Sequence, residues 1–189
     1  MAQELDPLSL PINTDVGFEL YYSGHYDQAI EQLQSVLDLD PRFALANLWM
    51  GRAYQQKRRY DLAIARFKRA ADGLPEWPVA LAAIGNVFGE SGKRHEAQKI
   101  LNKLGTLSKR KYVTSYGIAL VHAGLGDKAR AFKCLSQAVE ERSHWLVWLK
   151  LDPRWNAISS DSRFKTLVKR VGLDVESLSR ETSRKFTAT

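Results

Sequence analysis

The chain has a single cysteine, Cys134, among its 189 residues, so no disulfide can close within it. No stretch approaches the run of about 18 apolar residues that a membrane helix needs. The N-terminus lacks the basic region followed by an apolar one that marks a signal peptide. Catalytic constellations are equally scarce. The four histidines, His25, His95, His122 and His144, never stand four apart and none is spaced from Cys134 as a metal ligand would be. His122 falls on an apolar face and reads as a core residue, and the other three fall in turns or at helix starts. Cys134 reads as a small buried hydrophobe. "GLGDKA" from Gly124 lacks the spacing of a phosphate loop and follows a helix where such a loop follows a strand. Glu140 and Glu141 adjoin in sequence, so they cannot flank a substrate from opposed sides. An enzyme is the least supported class, and no metal, nucleotide or other cofactor is expected.

What is present is ordinary globular material, 44% hydrophobic and 26% charged, with a formal net charge of +7. A chain this long buries on the order of 70% of its unfolded surface and can hold a core without staples. The positive charge raises nucleic acid as a partner class. The clusters Lys57-Arg58-Arg59, Arg66-Phe67-Lys68-Arg69 and Lys109-Arg110-Lys111 fit the wet face or end of a helix equally well. Aromatics do not interleave with them as stacking platforms would. Nucleic acid is therefore the weaker reading of the charge.

The dominant signal is a period of 34 residues. Gly17, Gly51 and Gly85 keep it, with Ala119 at the next step, and so do Ala29, Ala63, Ala97 and Ala131. Leu33, Phe67, Leu101 and Leu135 follow the same interval, as do Val36, Ala70, Leu104 and Ala138. Each unit reads as two helices, the second carrying a stripe at i, i+4 and i+7, such as Ala29, Leu33 and Val36. Gly24, Arg58, Gly92 and Gly126 stand between the two, where a tight turn is wanted. Small residues at the glycine and alanine steps let the paired backbones approach closely.

The pattern of Gly17, Leu20, Gly24, Tyr26, Ala29, Leu33, Val36 and Pro41, repeated as Gly51, Tyr54, Tyr60, Ala63, Phe67, Ala70 and Pro75, resembles the tetratricopeptide repeat (TPR). Asn13 and Asn47 depart from it where a large apolar residue is usual, and the fourth unit departs with His122 and Lys128. The resemblance implies an all-α, right-handed superhelical solenoid of four helix-turn-helix repeats, at 10–43, 44–77, 78–111 and 112–143. A Trp-rich segment at 144–173 is expected to cap it. That cap holds Trp145, Trp148 and Trp155 and then a helix opened by Ser160 or Asp161, with Phe164, Leu167, Val168 and Val171 on one face and Gly172 as its stop. A polar tail follows at 174–189. The fourth unit with its cap also resembles the C-terminal repeat regions of multidomain bacterial proteins that carry a winged-helix DNA-binding domain or a serine/threonine kinase domain.

In such a superhelix the first helix of each unit lines a concave groove. Counting from Leu10, Ala44, Pro78 and Tyr112, the resemblance assigns to it Phe18, Tyr21, Tyr22, Leu48, Arg52, Gln55, Gln56, Asn86, Glu90 and Tyr116. Aromatic groups with amides and one arginine suit a peptide held by side-chain burial and backbone hydrogen bonds. The alternative for Phe18, Tyr21 and Leu48 is packing against neighbouring helices. The lysine and arginine clamp that some family members use on a peptide's C-terminal carboxylate has no counterpart here.

The leading expectation is a non-catalytic scaffold that binds a protein or peptide in its groove as the C-terminal part of a larger protein. The alternative is a regulatory, sensory or oligomerisation module of a bacterial transcription regulator or serine/threonine kinase. Leu5-Asp6-Pro7 stands 34 residues before Leu39-Asp40-Pro41, so residues 1–9 read as the end of a truncated upstream repeat. An apolar face around Ile12, Val16 and Tyr22 would then be bare, and homodimerisation through it is an expected consequence. A cytoplasmic location is favoured, with an extracytoplasmic one if a membrane anchor lies upstream.

Overall fold

The computed structural model describes residue 6 and residues 8–174. Leu5 and Pro7, on which the reading of a truncated repeat rests, and the tail from residue 175 lie outside the described residues. Among the described residues every regular element is helical. Four antiparallel pairs come first: α1 (Leu10–Tyr22) with α2 (Tyr26–Leu39), α3 (Ala44–Gln56) with α4 (Tyr60–Gly73), α5 (Pro78–Glu90) with α6 (Arg94–Leu107), and α7 (Ser115–Gly124) with α8 (Lys128–Glu140). Two 3₁₀ turns, His144–Trp148 and Pro153–Trp155, lead to α9 (Ser162–Arg170).

The glycine and alanine steps do what their size allows. A Cβ on Gly17 would lie 2.5 Å from the Leu33 side chain, and one on Gly51 would lie 2.5 Å from the Phe67 ring. Ala29, Ala63, Ala97 and Ala131 are fully buried beside them. The third unit differs: a Cβ on Gly85 would meet Ile100 (2.8 Å) and Val121 (2.9 Å) in place of the in-phase Leu101. The turn residues Gly24, Gly92 and Gly126 take positive φ, and Arg58 takes it too at φ 56°. The four positions thus share a left-handed conformation that suits glycine best.

Asn13 and Asn47, which stand where the family usually has a large apolar residue, are buried. Their side-chain amides donate back to the carbonyls of Ser9 (2.9 Å) and of Pro41 and Phe43 (both 3.1 Å). Each amide therefore stitches the preceding loop to its helix where a hydrophobic ring would fill space. The fourth unit's first helix opens late, at Ser115. The Thr114 side chain accepts from the Tyr116 backbone N–H and lies 3.0 Å from the Ser143 hydroxyl, which fixes the start of α7 there.

The third and fourth units join through their first helices. A Cβ on Gly89 would fall 2.5 Å from the Gly124 backbone, and one on Gly124 would fall 2.4 Å from the Asn86 carbonyl. The α5 and α7 backbones therefore touch. At the end of the array, Asp161 caps α9 by accepting from the Arg163 N–H, Phe164 and Leu167 bury its apolar face, and Gly172 ends it at φ 75°. His122 is buried beside Asp127 (4.0 Å), and burial lowers its pKa ahead of the opposing pull of that carboxylate. Cys134 is half-buried against the last core cluster, and burial raises its thiol pKa.

Candidate binding groove

α1, α3, α5 and α7 contribute the side chains predicted for the groove, and the structure brings most of them together. Trp49, one residue after Leu48, is the hub. Phe18 meets it edge-on at 4.7 Å, Tyr21 and Tyr22 pack on it at 5.6 and 5.8 Å, and the Arg52 guanidinium lies 4.2 Å from its ring centre. Leu48 itself packs elsewhere, into the core with Ala63, Phe67 and Ala83.

Farther along, amides relay across three repeats. Gln55 donates through Nε2 to Asn86 Oδ1 at 2.6 Å, and Asn86 donates through Nδ2 to the Leu120 carbonyl at 2.8 Å. The close approach of α5 to α7 is what puts that carbonyl within reach. Gln56 is half-buried, and Glu90 reaches solvent. The protein walling in Glu90 still displaces enough water to raise its carboxyl pKa, against the weaker opposing pull of Gln55 and Arg154.

The groove is not empty. The segment after α8 turns back into it, so that Trp148 stacks on Tyr22 (4.8 Å, interplanar 22°) and meets Phe18 edge-on at 4.8 Å. The Arg52 guanidinium also lies over the Trp145 ring, 5.2 Å from its centre. Beneath them lies a buried polar network. Arg154 holds Asp152 through Nε (2.8 Å to Oδ1) and Nη2 (2.5 Å to Oδ2). The Tyr116 hydroxyl donates to Asp152 Oδ2 at 2.8 Å and accepts from Trp155 Nε1 at 2.7 Å. Burial alone would raise the Asp152 pKa, but the charge and hydrogen bonds of Arg154 outweigh it and hold the carboxyl below its ordinary value. Burial likewise drives the Tyr116 hydroxyl well above its ordinary value.

Tyr21, Arg52, Gln55, Asn86 and Tyr116 are consequently buried, while Phe18, Tyr22 and Gln56 keep partial exposure. Sequence reasoning missed Trp49, Asp152 and Arg154. A signal was present: Leu39-Asp40-Pro41-Arg42 recurs as Leu151-Asp152-Pro153-Arg154. Both copies form the same turn, with the aspartate accepting from the arginine N–H two residues on, at 2.9 and 3.1 Å. The basic clusters lie apart from the groove and from one another, at the 57–59 turn, on α4 and in the loop before α7. Lys57 pairs with Asp27 (2.5 Å), and Arg110 pairs with Glu76.

Residues 18–78 match the tetratricopeptide repeat family model. A curated relative, the BBSome complex member BBS4 of Bos taurus, is 29% identical over 138 residues, which is 73% of this chain and 27% of the relative. The chain thus spans about a quarter of that protein's length. Among solved structures, the APC/C hetero-tetramer Cut9-Hcn1 superposes with a TM-score of 0.62 at 14% identity, over 89% of this chain and 34% of its own. PilF of Pseudomonas aeruginosa gives 0.56 at 16% identity, over 85% and 74%. A tetratricopeptide repeat protein of Parabacteroides merdae gives 0.53 at 13% identity, over 90% and 67%. At these identities the superpositions show the fold. The 34-residue period, the paired helices and the family match over residues 18–78 agree: the chain carries tetratricopeptide repeats, and its described residues form an all-helical repeat fold.

Proposed function

We propose that the chain is a non-catalytic scaffold that takes a protein or peptide segment onto its concave face, and that it works within a larger protein or assembly. The observation that carries this reading is the packing of Trp148 against Phe18 and Tyr22. A face that holds one stretch of polypeptide by aromatic anchors has the shape and chemistry to hold another. The partner's anchor is an aromatic or large apolar side chain placed where Trp148 now lies. Gln56 and Glu90, on the side still open to solvent, supply polar contacts to its backbone. The proteins named above support the assembly half of the reading, since one is a member of a complex and another is part of a hetero-tetramer.

The test is partner capture by cross-linking, comparing the wild type with Phe18→Ala/Tyr22→Ala and with Trp148→Ala, and with helicity checked by circular dichroism. Capture should fall at least about tenfold in the double variant, as expected when central aromatic anchors are removed. It should rise in Trp148→Ala, which vacates the anchor's place. Equal capture by all three would overturn the assignment of this face.

A further inference from the structure

The buried charges of the groove do not balance. Arg52 and Arg154 are 1% and 5% exposed; among the described residues the one carboxylate buried with them, Asp152, is engaged twice by Arg154, and Glu90, which Arg154 also attracts, reaches solvent. The Arg52 Nε and Nη1 donors are buried with no hydrogen-bond partner among the described residues. The Tyr21 and Tyr22 hydroxyls, on rings packed against the same Trp49, are buried and unpartnered as well. A guanidinium stays charged at neutral pH, and contact with the faces of Trp49 and Trp145 offsets only part of its lost hydration. Buried charges in folded proteins are paired, because an uncompensated one is strongly destabilising.

Arg52 also lines a cavity. Its wall is completed by Arg154, Tyr116, Thr114 and Trp145 together with apolar side chains, and its enclosed part has room for about one water-sized group. A second guanidinium on that wall makes it more positive still. Two cations against one carboxylate leave a deficit of one negative charge.

We infer that this cavity is a binding site for one small monoanion, a halide or a carboxylate group, held by the Arg52 guanidinium inside the concave face. The site is built by the folded chain itself. Its occupant is either a free anion or the carboxylate of an acidic side chain inserted from outside. Arg52 is then the ligand-binding group, and Trp49 and Trp145 hold its plane in position.

The experiment is thermal unfolding of the full chain in anion-depleted buffer, titrated with sodium chloride, with sodium acetate, or with a blocked aspartyl peptide. Once the site is filled, the wild-type Tm should rise by about 3–6 °C per tenfold increase in anion. Arg52→Met should abolish the rise and melt no lower than the wild type without anion, because it removes a buried charge that lacks a partner. Lys68→Met, which removes an exposed charge from α4, should keep the rise. A response to chloride or acetate identifies a free anion as sufficient; a response to the aspartyl peptide at far lower concentration identifies a partner's side chain. Should Arg52→Met fail to fold, bromide-soaked wild-type crystals give the answer, with an anomalous peak expected beside Arg52. A Tm indifferent to all three probes, an equal rise in Arg52→Met, or a water in place of the bromide would overturn the inference.

Discussion

Asp152 concentrates the chemistry of this molecule at a single side chain. It accepts from Arg154 Nε and Nη2 and from Tyr116, and it opens the short turn that places Trp155. Its folded-state pKa is lowered, so its contribution to stability is present above its unfolded value near ~3.9 and is lost as pH falls through the folded value. The denaturation midpoint should therefore hold from neutrality to about pH 5 and then drop as acid is added. Asp152→Asn should lose about 3–5 kcal/mol at pH 7, because Arg154 is then buried without a countercharge. The same variant should lack the part of the acid-induced drop that Asp152 causes. Urea melts of both proteins across pH 7 to 3 measure the effect; parallel profiles would remove Asp152 from this role.

The determining contacts between helices are made by small residues. Within a unit, Gly17 and Gly51 receive side chains, Leu33 and Phe67, which can shift a little when crowded. Between the third and fourth units, Gly89 and Gly124 face backbone, which cannot shift without moving a helix. Gly89→Ala should therefore push α5 off α7, stretch the bond from Asn86 to the Leu120 carbonyl, and cost about 2–3 kcal/mol. Gly105→Ala, where an added Cβ meets nothing, is the control and should be neutral or slightly stabilising. Chemical denaturation of the two variants checks this, and equal stabilities would contradict the close helix crossing.

Over the whole molecule, the return of Trp148 to Tyr22 and Phe18 joins residues about 130 positions apart and ties the last segment to the first repeat. A repeat array is ordinarily held by neighbour contacts alone, so this link adds long-range cooperativity to a quasi-linear fold. Trp148→Ala should cost about 1–3 kcal/mol, less than a fully buried tryptophan because the ring keeps some exposure. The radius of gyration should grow as the two ends part. Small-angle scattering together with a melt tests both consequences; an unchanged radius would mean that the array's own curvature, and not this contact, brings the ends together.

Much of this was legible in the sequence because it is local or periodic. The 34-residue step at Gly17, Gly51 and Gly85 forces two helices to pack closely in each unit wherever the chain lies. Gly24, Gly92 and Gly126 mark left-handed turns, and the pattern located even Arg58 by its phase. The helix opened by Asp161 and stopped by Gly172 could be read in the same way. The in-phase Leu101 misled because Ile100 and Val121 fill the space at Gly85, and a period does not say which neighbour fills a gap. Candidate groove residues were named by position, and position alone could not say that Tyr22 and Arg52 would be covered by the chain's own Trp148 and Trp145, or that Tyr116 would meet Trp155.

The two copies of Leu-Asp-Pro-Arg mark the boundary between what each level decides. The sequence by itself determined the turn, because an aspartate before a proline accepts the N–H two residues on in both places. Only the tertiary structure decided the rest. Arg42 stands exposed at a junction between repeats, whereas Arg154 is buried and holds its aspartate with two side-chain donors. The physical reason is the solvent each copy meets: in water a carboxylate and a guanidinium are satisfied separately, but inside the groove each must find the other. Arg52, left there without such a partner, owes its character to the same burial.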